Sequence, residues 1–480
     1  MKRNRWLALG LSATMFFSLT ACGTTNNKGS NSTNKAETTA AGSDVPAGTK
    51  ADTESKAEGS EGDAVGFGEK DPESYVADLK FMVHSDGQPT YMIEKFNEIY
   101  PNIHIELVMV PGAEQQEKIL TMVNGGEDIA DLFTCRTQFV KAIVNNPNCY
   151  MDLSAQPFNA GEWTDQIEDY VVGVGTDTSG ALRALSWQCP VGGVFYRRSM
   201  AKEYFGTDDP EEIGKLFASY ESMIDAARTI KEKSGGQVYF NANAVGDLSL
   251  AGMTGAGGYL LGNTLNTNEK IVNLFEYCKT MYDENLTGKC YKNDAGIVSL
   301  TQENKVFSLM NATWALNFNI MPNYEDQAGD WAVATPPETF TAGGTYVGIS
   351  QATKYPEECY LFLKFILTNE DFVYDYATDF GDYVSNKAIQ EKVGSMTTEE
   401  AAELELGIFE YLNGQNAYAY WNSQLKKGVD ASAFSPYDEY FQNYMQAAME
   451  AYAAGSLSLE EALAQYKSDC QNYAPSIEVE

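Results

Sequence analysis

Two histidines, His84 and His104, are all that this 480-residue chain offers for imidazole chemistry. A Ser-His-Asp hydrolase or a histidine-rich metal site is poorly supplied by so few. His84 also ends an apolar run, Leu79 to Val83, that reads as a strand, so a structural role is expected for it. The patterns HExxH, GxSxG and a Walker loop do not occur in the body of the chain. The 67 acidic residues leave room for a pair of carboxylates roughly 5 to 10 Å apart, as glycoside hydrolysis requires, but no local motif marks such a pair. The chain is expected to be no enzyme and to need no cofactor.

What it has in abundance is flat aromatic surface, with six tryptophans and 29 tyrosines. Aromatic faces cover the C–H face of a sugar ring, while planar polar side chains take its hydroxyls in pairs. Asp86, Arg136 and Gln138 are polar candidates for that task, because each follows a run that reads as a strand. Trp163 and Trp331 are expected to pack in the core.

The elements that would hold these residues alternate. Leu79 to Val83 is a strand closed by the turn Ser85-Asp86-Gly87. Ile93, Phe96 and Ile99 have helical spacing, ended by Pro101. Ile103, Ile105, Leu107 and Met109 alternate as a second strand, a helix carries Ile119, Leu120 and Val123, and Ile129 to Phe133 is a third strand. Alternating strands and helices predict an α/β unit with a largely parallel sheet, whose ligands sit beyond the carboxyl ends of the strands. The stretch from about Val194 to Pro322 reads as mostly helical, with Gly252 to Gly262 as a glycine-rich loop. A glycine-flanked strand at Gly343 to Ile349, a helix at Tyr355 to Leu367 and further helices complete the chain. No 20- to 50-residue repeat is visible.

Residues 1–21 read as an export signal: Lys2, Arg3 and Arg5 precede an apolar run from Trp6 to Phe17 that is too short to span a membrane. Leu19-Thr20-Ala21-Cys22 follows and resembles the lipobox of bacterial lipoproteins, which implies cleavage before Cys22 and acylation of its thiol. Residues 22–71 have almost no apolar side chains and are predicted to be a flexible tether. Residues 72–480 form the folded body, large enough for two lobes. The charge of −34 disfavours nucleic acid as a partner and favours a neutral or cationic solute. Seven cysteines remain besides Cys22, and no CxxC pair is present; Cys135 with Cys149, or Cys278 with Cys290, could bridge locally.

The order of segments from Leu79 to Tyr466 resembles the extracellular solute-binding proteins of family 1, the sugar-binding lipoproteins of bacterial ABC importers. Phe96 to Ile103 is similar to the family's "F-x-x-x-Y/H-P-x-I", and Gly126 to Phe133 to its "G-x-x-P-D-L/V", with Ala130 in place of proline. Pro190 to Arg197 looks like the crossing into a second lobe. Asn304 to Trp314 resembles "G-K-x-A-M-x-x-x-G-x-W" without either glycine. Gly343 to Ile349, Phe362 to Glu370, and Ala454 to Leu463 are similar to later family segments. No one of these is specific alone; their order is.

The resemblance implies a two-lobed periplasmic-binding-protein-like fold of type II, each lobe a mostly parallel sheet flanked by helices, closing on its ligand by hinge motion. One lobe would hold about 79–189 and 349–380, the other about 194–341 and 385–475. It implies capture of an oligosaccharide and delivery to the transmembrane subunits of an ABC permease by a monomer, held through the lipid on Cys22 at the extracellular face of a Gram-positive type of cell membrane. Trp314 falls at the family position that stacks on sugar, Trp187 before the first hinge crossing, Asn243 where relatives place polar contacts, and Tyr383 and Trp421 in segments that face the cleft. Another polar solute, a sensing or adhesive role on the same fold, and a surface glycoside hydrolase are the alternatives.

Overall fold

The computed structural model describes residues 67–126 and 128–480. The signal-like segment, Cys22 and most of the expected tether lie outside the described residues. Ordered packing begins ahead of the expected boundary: Phe67 meets the rings of Phe158 at 5.5 Å and Tyr360 at 5.6 Å, and Lys70 pairs with Glu357 at 2.5 Å. Phe67 is the first large apolar side chain after a polar stretch, and it finds a hydrophobic surface to cover.

Two mixed sheets flanked by helices carry the architecture. The first has strand order β2-β1-β3-β11-β4, built from β1 (Ala77–Val83), β2 (Ile103–Met109), β3 (Leu132–Arg136), β4 (Leu185–Ser186) and β11 (Thr345–Ile349). β1 runs parallel to β2 and β3, and β11 runs antiparallel to β3 and β4. The helices Gly87–Asn97 and Gln115–Gly125 make the crossovers, as parallel neighbours require. The second sheet has order β10-β5-β9-β6, from β5 (Gly192–Arg197), β6 (Tyr239–Asn241), β9 (Val306–Ala312) and β10 (Trp331–Ala334). A small hairpin, β7 (Leu260–Leu261) with β8 (Thr264–Leu265), stands apart.

β3 lies later than the alternation suggests. The Asp131 carboxylate accepts the Lys80 backbone N–H at 2.9 Å, so the ladder with β1 starts at the pair Phe81–Leu132. Arg136 thereby stands on the strand end itself. The helical reading of the middle of the chain missed β6 and β9. The glycine-rich segment is entered by the Ala244–Met253 helix and leaves by β7; Gly258, at φ +88°, lies where a Cβ would come 2.3 Å from the Ala433 carbonyl oxygen, so only glycine fits. Asn304 has φ +56°, a left-handed conformation that asparagine tolerates better than most residues, where the family motif has glycine.

All seven cysteines among the described residues are free and buried, so neither local bridge is formed. Among the described residues no helix is long and apolar enough to cross a membrane.

Candidate functional site

The two sheets point their strand ends at one place. β9 ends at Ala312, opposite Gly192 at the start of β5, and the next residue, Thr313, donates its backbone N–H to Val191. β3 ends at Arg136, opposite Thr345 at the start of β11, and the Thr137 N–H and hydroxyl both go to the Gly344 carbonyl, each at 3.1 Å. Gly192 N–H in turn bonds Phe340 O at 2.7 Å. Residues 187–191 and 340–344 are thus the crossings between the sheets, and the residues just beyond β3 and β9 stand on either side of them.

Trp314 is set by these crossings. Its indole N–H donates to the Ala342 carbonyl at 2.9 Å, and the ring lies so close over Gly343 that a Cβ there would be 2.6 Å from the indole nitrogen. Gly343 also has φ +75°, so its missing side chain serves both the turn and the ring. Trp314 is half-buried at the head of a π-helical turn, Leu316–Ile320, an irregularity frequent at functional sites.

Around the crossings, hydrogen-bonding atoms are buried without partners: His84 Nδ1, Arg136 Nε, Gln138 Oε1, Thr313 Oγ1, Thr341 Oγ1 and Glu439 Oε2. Buried polar atoms ordinarily find partners, because leaving one bare costs about 1–3 kcal/mol. Arg136 Nη2 meets Glu439 Oε1 at 2.6 Å, and its guanidinium lies 5.6 Å from the Phe139 ring centre. Burial, assisted by the Arg136 charge, holds His84 below its ordinary pKa, so at neutral pH it is an uncharged imidazole that both donates and accepts. Glu439, Thr313 and Thr341 were not singled out by sequence reasoning. Thr313 adjoins the motif tryptophan and was within reach of it; nothing local marks Glu439, which comes from the Asp438–Ala453 helix.

The other expected site residues are placed differently. Asp86 is exposed at the start of the Gly87–Asn97 helix, with no side-chain capping bond. Asn243 caps the Ala244–Met253 helix, accepting Gly246 N–H at 2.9 Å. Tyr383 and Trp421 are fully buried and pack with Tyr418 at ring distances of 5.0 to 5.5 Å; Tyr383 donates to Asn422 Oδ1 at 2.6 Å. Their flat apolar area is spent inside the core, where it is worth more than at a rim. Trp187 is buried as well, its indole N–H facing the Tyr376 phenol without closing a well-formed bond. Trp163 and Trp331 are buried as expected.

Behind the crossings sits a buried carboxylate that the sequence did not announce. Asp382 Oδ2 accepts from Gln88 at 2.9 Å, Gln188 at 2.7 Å and Tyr376 at 2.7 Å, and Oδ1 takes the Tyr383 N–H at 3.0 Å. The Tyr418 hydroxyl bonds the Asp382 carbonyl. Burial raises the Asp382 pKa, while these donors pull it down. The group ties a first-sheet helix, a crossing and the C-terminal part of the chain together.

Comparison with known proteins agrees with this geometry. Residues 91–404 match the family model described as bacterial extracellular solute-binding protein. No curated protein matches the chain in sequence. Among solved structures, one of an extracellular solute-binding protein family 1 member superposes with TM-score 0.68 at 16% identity, over 82% of this chain and 99% of that one. The galacto-N-biose/lacto-N-biose I-binding protein of the Bifidobacterium longum ABC transporter gives 0.66 at 15% identity, covering 84% and 99%. The GacH receptor of Streptomyces glaucescens, solved unliganded and with acarbose, gives 0.65 at 15% identity, covering 84% and 100%. At these identities the likeness is one of fold, the type II periplasmic-binding-protein arrangement.

Proposed function

We propose, from the premise that the chain belongs to the bacterial extracellular solute-binding proteins, that it captures an oligosaccharide between its two sheets and hands it to an ABC permease. As a member of that family it is a transport receptor and not an enzyme. The observation that carries the carbohydrate reading is the ring of unpartnered buried donors and acceptors about the half-buried Trp314. Neutral hydroxyls, each both donor and acceptor, satisfy such a mixed set, and the indole supplies the apolar face that a sugar ring needs. The ligands held by the fold neighbours, acarbose and lacto-N-biose among them, support the same class. Arg136, Gln138 and Trp314 are the contacts we assign from the sequence, joined by His84, Thr313, Thr341 and Glu439. Lys2, Arg3 and Arg5, the apolar run and Cys22 support a lipid anchor at the extracellular face, with the body presented on a tether to the permease.

A thermal-shift screen of the chain without its first 22 residues tests the reading, against oligosaccharides, polyols, amino acids and peptides. A ligand that binds only the folded state stabilises it by about 2.7 kcal/mol at a hundredfold excess over its Kd. Stabilisation by one oligosaccharide class, with the sugar recovered unchanged, is expected. Stabilisation by an amino acid or peptide alone, or cleavage of the sugar, contradicts the reading.

A further inference from the structure

The phenol rings of Tyr440 and Tyr473 lie one over the other, centres 4.1 Å apart and planes 26° from parallel. Tyr437 and Tyr444 each approach Tyr473 edge-on at 6.3 Å. Such a cluster buries apolar area well when it is covered, yet Tyr473 is 40% exposed. Facing the stacked pair is a recess of about 220 Å³, whose other wall is the Gln115–Gly125 helix, with Gln116, Leu120, Thr121 and Asn124.

We propose that this recess is an outer carbohydrate-ring subsite, continuous with the cleft; the inference rests on the carbohydrate reading of the cleft. Its chemistry is that of a ring site, an aromatic wall on one side and neutral amide and hydroxyl groups on the other. Among the described residues that line it, Glu117 alone is charged, which disfavours an anionic ligand. Its volume falls below the roughly 300 Å³ at which sites for drug-sized ligands begin, so it suits one monosaccharide unit of a longer chain.

Its position supplies the continuity. Tyr440 follows Glu439, whose carboxylate holds Arg136. The Arg136 side chain passes 3.4 Å from where a Cβ on Gly112 would stand, in the loop that leads into the Gln115–Gly125 helix. The Arg136–Glu439 contact and the recess are therefore bounded by the same two parts of the fold. The Gln115–Gly125 helix connects β2 to β3 of the first sheet, whereas the Asp438–Ala453 helix, besides touching the Thr137–Phe139 turn, packs on the Glu269–Asp283 helix and on the Ala244–Met253 helix, which lies against β9 of the second sheet. A sugar unit held between them touches both sides, so its binding energy favours the closed arrangement.

The test is calorimetric titration of the soluble chain and of Tyr473→Ala and Asn124→Ala variants with gluco-, galacto-, manno-, xylo- and fructo-oligosaccharides of one to six units. Tyr473 and Asn124 are exposed, and equal ligand-free melting temperatures verify that the variants fold. For the wild type, affinity rises with length beyond the shortest sugar that binds. Tyr473→Ala loses about tenfold for the longer members, a stacking contact's worth, and nothing for the shortest, with a smaller loss of the same kind for Asn124→Ala. A wild-type affinity flat with length, or a Tyr473→Ala profile that is unchanged or lowered equally at every length, overturns the subsite while the carbohydrate reading stands. A wild type that binds no sugar in any series overturns both.

Discussion

Arg136 Nη2 stands 2.6 Å from Glu439 Oε1, and this contact joins the end of a strand in the first sheet to a helix that packs on the Ala244–Met253 and Glu269–Asp283 helices. The two side chains keep 26% and 22% of their surface exposed, so the pair adds only about 0–1 kcal/mol to stability. Its importance lies in the atoms left over, Arg136 Nε and Glu439 Oε2, which are buried without partners and available to a ligand. Glu439→Gln is expected to leave the ligand-free melting temperature nearly unchanged. Because hydrogen bonds to charged groups are worth about 1.5–3 kcal/mol, the same change raises the Kd for the cognate sugar at least tenfold, measured by titration calorimetry.

Trp314 gives a second expectation, because its indole is both the apolar face of the site and an optical reporter. Trp314→Phe keeps an aromatic surface but loses the bond to the Ala342 carbonyl, and it is expected to retain weakened binding. Trp314→Ala loses at least tenfold more. Ligand-induced change in tryptophan fluorescence, present in the wild type and diminished in Trp314→Phe, checks the placement of the ring.

The Asp382 group predicts a stability effect with no direct contact to ligand. Asp382→Ala removes the acceptor shared by Gln88, Gln188 and Tyr376; Gln88 keeps its bond to the Tyr376 hydroxyl, and the change is expected to cost about 1–3 kcal/mol for each donor left unpaired. Asp382→Asn replaces one acceptor oxygen with a donor and costs less. Urea unfolding with the midpoint and slope both recorded distinguishes a loss of stability from a change in cooperativity.

Asp438 predicts a pH dependence. It is fully buried, and burial pushes its carboxyl up to about 7, against the pull of Ser435 and the Lys141 charge; the Tyr259 and Tyr466 phenols stand nearby. A carboxyl with a raised pKa holds its proton in the folded state at a pH where the unfolded chain has released it. Its contribution is therefore fully present below about pH 4 and is lost as pH rises towards 7, by up to roughly 1.4 kcal/mol per pH unit. Asp438→Asn keeps an acceptor for Ser435 and is expected to flatten that slope, as read from unfolding free energies at pH 5, 6 and 7.

The first sheet was legible because its strands are separated by helices with clear stops, Pro101 and Gly125-Gly126, and β2 coincides with the alternation Ile103 to Met109. The second sheet was hidden. β9 has one face buried and the other partly so; Ser308 falls on the buried face and Phe307 and Leu309 on the other, so its run Val306 to Ala312 shows no alternation to separate it from a helix. At the site, strand ends and the tryptophan motif led to Arg136, Gln138 and Trp314, residues whose position follows from chain-local pattern. Tyr383 and Trp421 were expected at the cleft only through the resemblance, as members of C-terminal segments that face it, and the packed structure shows that they meet Tyr418 in the interior. Glu439 reaches Arg136 across 303 residues, a separation that no local motif records.

The most direct measurement is titration calorimetry of the soluble wild type and Trp314→Ala against the sugar that most raises the melting temperature. The account predicts one-to-one binding to the wild type, with a negative heat-capacity change from buried apolar surface, at least a hundredfold weaker binding in Trp314→Ala, and recovery of the sugar intact. Equal affinity in the two proteins would contradict the placement of the site at the crossings, and the absence of any sugar that binds would contradict the carbohydrate reading itself.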